Sequence, residues 1–272
     1  MLTLLDNEFE DIAGYIKDKY GVNLVSKKLL IEGRLGCYIA SLGYKTFGEY
    51  FHAAQNDPTG EEITNIINRI TTNHTYFLRE SDHFEFFRTD VLPWIESLHD
   101  GNDFRIWSAG CASGEEPYSL SIFIMEYFAA RGLKQVNFDT TILASDISEK
   151  VLIEASNGIY QNENLTGMPP GWLAKYFTDL GDGSYKVKPE LRANVAYKKI
   201  NLLDPITVRK PYHVIMCRNV MIYFDTETRN SLIKKFFGAL TEGGYLFIGH
   251  SESLTSFTNG FNYIKPSVYR KP

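Results

Sequence analysis

A chain of 272 residues, 44% hydrophobic and 22% charged, has the composition of an ordinary soluble globular protein and length enough for one large domain or two smaller ones. Its net charge of −5 speaks against nucleic-acid binding, which calls for a basic face. Cys37, Cys111 and Cys217 are too scattered to form a disulfide framework or a metal knuckle, and no apolar run nears the roughly 20 residues that span a bilayer.

The opening MLTLLDNEFEDI is acidic where a secretory leader is basic, so a cytoplasmic protein without a signal peptide is expected. Phe9, Ile12, Ile16 and Tyr20 recur at helical spacing and Gly21 can stop that helix. Ser26 can cap a second helix with the stripe Ile31, Leu35, Tyr38, Ile39 and Leu42, closed by Gly43. Thr46 with Glu49, and Thr59 with Glu62, read as capping boxes for a third and a fourth helix, the last with the stripe Ile63, Ile66, Ile67 and Ile70. An all-α N-terminal domain over residues 1–90 is therefore expected.

Beyond about residue 100 short apolar runs alternate with helical windows: 103–110, 138–147, 194–203, 212–220 and 243–251, with helices around 116–131, 148–156 and 226–240. That rhythm predicts an α/β domain over 91–272 with a mostly parallel, Rossmann-like sheet. Residues 261–271 read as a strand pair at its edge. Residues 159–193 break the rhythm, and Asp182-Gly183 between TDL and SYKVK reads as a hairpin turn, so a small β insertion is expected there.

In an open parallel sheet the ligand sits at the carboxyl ends of the strands, where the strand order reverses. WSAGCASGEEPYS (107–119) stands at such a place, with Gly110 and Gly114 allowing close backbone approach. The next strand ends in Asp146, positioned to accept hydrogen bonds from ribose hydroxyls. The loop is neither G-x-G-x-x-G nor a P-loop. Glu115 and Glu116 would repel a pyrophosphate but suit a cationic adenosine ligand, of which S-adenosylmethionine is one. They equally suit the positive end of the helix that follows, and these two motifs alone leave both readings open.

Six stretches in order add to this: TTNHTYFLRES (71–81), WSAGCASGEEPYSLSI (107–122), ASDIS (144–148), NLL (201–203), CRNVMIYFD (217–225) and GHSESL (249–254). As a set they resemble the CheR family of chemotaxis receptor methyltransferases over nearly the whole chain. The resemblance implies an S-adenosylmethionine-dependent methyltransferase domain preceded by an all-α domain. It implies methyl transfer from S-adenosylmethionine to glutamate side chains on the cytoplasmic methylation helices of chemoreceptors, with S-adenosylhomocysteine as product. Carried over by position, the cofactor-binding residues are Asn73, Thr75, Arg79, Glu116, Asp146, Asn201, Leu202, Arg218 and Asn219, and Tyr223 lies near the transferred methyl group. Some relatives use the insertion to hold a receptor tail peptide. The compact hairpin here argues against that tether, and family precedent points to a monomer.

The chemistry asks for little. A glutamate is ionised at neutral pH and the sulfonium is an activated donor, so alignment and exclusion of water remain. No catalytic histidine is needed, and His74, His83 and His250 read as ordinary packing or surface residues. Arg79 can grip a carboxylate with two N–H groups, either the cofactor's or the substrate's. Its plainer role would be an ion pair with Glu80 or Asp82. Lys27, Lys28 and Arg34 on the second helix form a candidate docking face for acidic receptor helices.

Overall fold

The computed structural model describes residues 2–71, 74–98, 103–133, 138–254 and 260–272. Four helices come first: α1 (Asp6–Tyr20), α2 (Lys28–Ser41), α3 (Phe47–Gln55) and α4 (Glu61–Ile70). They pack through the apolar stripes read from sequence, with Ile12, Ile16, Ile31, Leu35, Ile39, Ile63, Ile66, Ile67 and Ile70 all buried. Gly21 ends α1 with φ +73° and returns its N–H to the Lys17 carbonyl. Thr46 caps α3 by accepting from the Glu49 amide.

Two expected caps are corrected. Ser26 sits in a left-handed turn, and α2 begins after Lys27. At α4 the Asp57 carboxylate outcompetes the Thr59 hydroxyl. Its two oxygens accept from the amides of Thr59 and Glu62, and Gly60 becomes the N-cap.

Residues 81–97 form one helical rod, α5 (Ser81–Phe86), a π-turn (Phe87–Val91) and α6 (Leu92–Ser97). Its residues Phe84, Phe87, Val91 and Leu92 share a core with Ile106, Val214 and Phe247 of the main sheet. The division expected at residue 90 thus falls inside this rod, and we place the end of the helical unit nearer the end of α4.

The sheet domain runs β1 (Ile106–Ala109), α7 (Glu115–Ala130), β2 (Ile142–Asp146), α8 (Glu149–Asn157), β3 (Ile159–Gln161), α9 (Trp172–Tyr176), β4 (Phe177–Asp179), β5 (Ser184–Val187), α10 (Pro189–Arg192), β6 (Val195–Lys199), β7 (Tyr212–Cys217), α11 (Thr226–Ala239), β8 (Leu240–Ile248), β9 (Asn262–Lys265) and β10 (Val268–Arg270). The large sheet has the order β6-β2-β1-β7-β8-β10-β9. Its first five strands are parallel, and β10 and β9 form the antiparallel pair expected at the edge. The insertion is a separate antiparallel sheet, β3-β5-β4, with residues 180–183 turning β4 into β5.

From β1 the chain builds outward to β2 and β6 on one side and to β7 and β8 on the other. The order therefore reverses at β1, which opens a crevice at the carboxyl ends of β1, β2 and β7. The helical unit closes one flank. Val22 pairs with Phe224 in an antiparallel bridge, the Asn23 amide donates to the Tyr223 carbonyl at 2.7 Å, and Asn68 on α4 donates to the Ser148 hydroxyl at 2.8 Å.

Candidate active site

The crevice is a cleft of about 430 Å³. That is room for a nucleoside-sized ligand. Thr75, Arg79, Glu116, Asp146, Asn201, Leu202, Arg218, Asn219 and Tyr223 all line it. These residues come from five separate stretches between positions 75 and 223, and the reversal at β1 brings them together. Asn73 lies outside the described residues. Walls that the sequence did not point to come from the helical unit, with Tyr20, Val22, Ile67 and Asn68 facing the same space. No motif marks them, because their contribution depends on how α4 and the α1–α2 turn lie across the sheet.

The floor is the loop after β1. Gly110 has φ +83°, and a Cβ there would meet Val220 Cγ2 at 2.4 Å. Only glycine lets the 110–114 loop lie this close to the loop after β7. Asp146, at the end of β2, accepts from the Ala112 amide and the Ser148 amide, each at 3.0 Å. Burial pushes its carboxyl above the ordinary range, and those two N–H groups pull against the rise. An anion short of solvent at the rim of a cleft gains from hydroxyl donors, which is what a ribose supplies.

The two glutamates of the loop part company. Glu115 turns away from the cleft into the protein, where it accepts from Ser113 Oγ at 2.8 Å and Asn164 Nδ2 at 3.1 Å. Burial raises its pKa. Glu116 faces the cleft, but its oxygens are engaged by Ser108 Oγ at 2.6 Å and Arg218 Nη1 at 3.1 Å. The two readings left open for this pair thus separate, Glu115 lying buried away from the cleft and Glu116 facing it with Arg218 as its counter-charge.

Arg218 is the electrostatic centre. Its side chain is 3% exposed and bridges Glu116 to Glu80, donating to Glu80 Oε2 through Nε at 3.2 Å and Nη2 at 3.0 Å. The same Nη2 also donates to the Arg79 carbonyl. Burial works to raise the Glu80 pKa, yet the Arg218 charge and the amide of His250 hold it below the usual carboxylate range. Oxygens and ring nitrogens of Glu80, His83 and His250 lie within 4.8 Å of one another. Both Glu80 oxygens are nevertheless taken, Oε1 by the His250 amide and Asn219 Nδ2 and Oε2 by Arg218. His83 is fully buried, and burial together with Arg218 pushes its pKa down to about 4, so it is neutral near pH 7.

Arg79 makes neither of the ion pairs weighed for it. Glu80 belongs to Arg218, and Asp82 pairs with His250 at 3.1 Å and Lys265 at 3.5 Å. The Arg79 guanidinium lies in the cleft wall, donating through Nη1 to the His74 carbonyl at 2.7 Å. Asn219 has φ +59°, the left-handed region that asparagine tolerates better than most residues. Tyr223 ends a short 3-10 turn, Met221–Tyr223, with Lys27 Nζ 5.9 Å from its ring centroid. Asn201 Nδ2 donates to the Lys19 carbonyl of α1 at 2.9 Å, tying the cleft to the helical unit.

Comparison with known proteins decides the family. The description "CheR methyltransferase, SAM binding domain" matches residues 73–270, and "CheR methyltransferase, all-alpha domain" matches residues 7–71. The chain belongs to the CheR methyltransferase family. A chemotaxis protein methyltransferase of Borreliella burgdorferi is 40% identical over 275 residues, covering 99% of this chain and 96% of its own length. Chemotaxis protein methyltransferase 2 of Vibrio cholerae is 35% identical, with coverage of 100% and 95%. Chemotaxis protein methyltransferase 1 of Pseudomonas aeruginosa is 34% identical, with 97% of each chain covered. S-adenosylmethionine is therefore the cofactor and methyl transfer the reaction class, as the cleft suggested. The two CheR descriptions meet at residues 71 and 73, close to the end of α4.

Within this CheR domain, Cys111 and Cys217 are buried, and burial pushes both thiols upward, so they are inert packing groups. No helix among the described residues is long and apolar enough to cross a membrane.

Proposed function

We propose that this CheR enzyme esterifies glutamate side chains on the cytoplasmic methylation helices of chemotaxis receptors, with S-adenosylmethionine as methyl donor. The observation that carries this reading is the meeting, in one cleft, of the family's motif residues from TTNHTYFLRES, WSAGCASGEEPYS, ASDIS, NLL and CRNVMIYFD. In it, Asp146 receives the ribose hydroxyls, the 110–114 loop backs the cofactor, and Asn201, Leu202, Arg218 and Asn219 complete its seat. Arg79 and Tyr223 stand at the reacting end.

The cofactor brings the sulfonium methyl group. The protein's residues have to place a carboxylate oxygen in line with it and keep water out. Ile67, Ile147, Ile200, Val220 and Phe224 supply apolar walls. A carboxylate attacking a sulfonium loses both charges on the way to products, so a drier cleft favours the transition state over the separated ions. No proton has to move, which fits a cleft whose buried histidine is neutral and outside its lining.

The reading is tested by transfer of a labelled methyl group to a chemoreceptor cytoplasmic fragment, followed by mild base and collection of volatile methanol. Base-labile label is expected. Label stable to base would mean nitrogen methylation and would overturn the assignment.

For receptor docking, the basic face of α2 is narrower than its sequence suggests. Arg34 is spent on the end of α4, where Nη1 donates to the carbonyls of Arg69, Ile70 and Thr71, and Lys28 pairs with Asp6. Lys27 stands beside Tyr223 at the reacting end. The Lys27→Glu, Lys28→Glu double variant is expected to lower receptor methylation several-fold at low salt, with S-adenosylhomocysteine affinity unchanged. Equal methylation by variant and parent would remove α2 from the docking surface. The turn at residues 180–183 is short, which favours receptor encounter without capture of a tail peptide.

A further inference from the structure

One stretch that carries the family likeness, GHSESL (249–254), has no part in the cleft lining. Its position in the fold gives it a task. The Glu252 side chain is turned inward, and the residue is only 8% exposed. Oε2 accepts from the Asn219 amide at 3.0 Å and from the Gly249 amide at 2.6 Å, while Oε1 accepts from the Ile222 amide at 3.1 Å. The loop it grips, 218–223, carries five residues of the cleft, Arg218, Asn219, Val220, Ile222 and Tyr223.

Three further contacts brace this grip, one on the loop itself and two on the turn behind it. A Cβ on Gly249 would lie 2.4 Å from Asn219 Nδ2 and 2.8 Å from the Asn219 nitrogen, so Gly249 is the hard surface against which Asn219 rests. Ser267 Oγ donates to the Gly249 carbonyl at 3.2 Å and holds that surface in turn. The His250 amide donates to Glu80 Oε1 at 3.0 Å, which joins this turn to the Glu80–Arg218–Glu116 network. The left-handed conformation of Asn219, tolerable for asparagine but still less favourable than the right-handed one, is held by its surroundings. A carboxylate collecting three amides is such a surrounding, since charge-assisted bonds to backbone N–H are the strong ones.

We propose that Glu252 is a positioning residue for methyl transfer. It acts through the 218–223 loop, whose Asn219 it grips and whose Tyr223 it holds at the reacting end, and leaves the cofactor's main contacts with Asp146 and the 110–114 loop untouched. This rests on the assignment of Tyr223 to the reacting end.

Glu252→Gln keeps the shape but replaces one oxygen with a donor that confronts the amides. The variant is expected to lose roughly 10- to 100-fold in kcat, the penalty of an ångström-scale misplacement, with S-adenosylhomocysteine Kd within about threefold of the parent, as expected where ground-state binding survives. Its amide hydrogens at Asn219, Ile222 and Gly249 are expected to exchange faster. Gly249→Ala, which pushes Asn219 from the other side, should reproduce the kcat deficit without altering the carboxylate. An unchanged kcat in E252Q would overturn the proposal, and so would a kcat loss matched by an equal loss of cofactor affinity and melting temperature. A parent enzyme that methylates no receptor would sink the functional reading instead, and amide exchange in E252Q would still judge the clamp.

Discussion

Replacing Arg79 with alanine is expected to cut kcat/KM for receptor methylation by roughly 100-fold. Truncating one partner of a hydrogen-bonded charge pair in a desolvated site costs about 2–5 kcal/mol, and each ~1.4 kcal/mol is tenfold. Neither Glu80 nor Asp82 claims the Arg79 guanidinium, and a backbone carbonyl, that of His74, steadies it in the cleft wall. A cation in a cleft wall with a neutral anchor remains available for a carboxylate. Arg79→Lys should recover only a small part of the loss, because an ammonium keeps the charge but not the planar pair of N–H groups. Binding separates the two roles that the sequence left open. If Arg79 holds the cofactor's carboxylate, S-adenosylhomocysteine Kd rises in step with the loss. If it orients the substrate glutamate, Kd stays near the parent's and kcat falls. A variant with parental kcat and Kd would remove Arg79 from the site.

Much of this architecture was legible because it is local. The helical stripes of Ile12–Ile16 and Ile31–Leu35–Ile39 and the strand-helix rhythm beyond residue 100 follow from side-chain periodicity, which a chain displays before it folds. The caps were less legible. Thr59 with Glu62 has the spacing of a capping box, yet Asp57, with two acceptor oxygens and a charge, reaches the same amides. The site divides in the same way. Asp146 and Gly110 could be placed by position at strand ends, and Thr75, Arg79, Glu116, Asn201, Leu202, Arg218, Asn219 and Tyr223 by motif, but not the walls Tyr20, Val22, Ile67 and Asn68. What those residues do to one another could not. Glu116 looked like a free anion because its counter-charge, Arg218, lies 102 positions away. Glu80, in sequence a candidate partner for Arg79, pairs instead with Arg218, and Glu252 has no local signal at all, because the groups both hold lie in the distant loop after β7.

Arg218→Met should be the most damaging single change to stability, lowering it by about 3–5 kcal/mol, the cost of removing one partner from a buried ion network. Glu80 and Glu116, 12% and 14% exposed in their side chains, would be left charged without a counter-ion. For a chain of this size each kcal/mol moves Tm by about 2–4 °C, so a fall of roughly 10 °C is expected, together with loss of cofactor binding. The pH dependence should reverse sign as well. In the parent enzyme the Glu80 carboxyl sits below its ordinary value, so its ionised form stabilises the fold. That contribution is complete above the unfolded pKa, about 4.3, and is lost as pH falls through the lower folded value. Without Arg218, the burial of Glu80 is opposed chiefly by His250, and the folded pKa is expected to rise above the unfolded one. The ionised form is then a penalty at pH 7 that protonation relieves. His83, whose nitrogen lies 3.5 Å from Glu80 and whose pKa Arg218 helps to depress, would bind its proton more readily and push in the same direction. The Tm gap between R218M and parent should therefore narrow as pH drops from 8 to 5, and R218M/E80Q should regain part of the loss at pH 7. A gap independent of pH, with no recovery in the double variant, would show that Arg218 serves by packing over Phe84 rather than by charge.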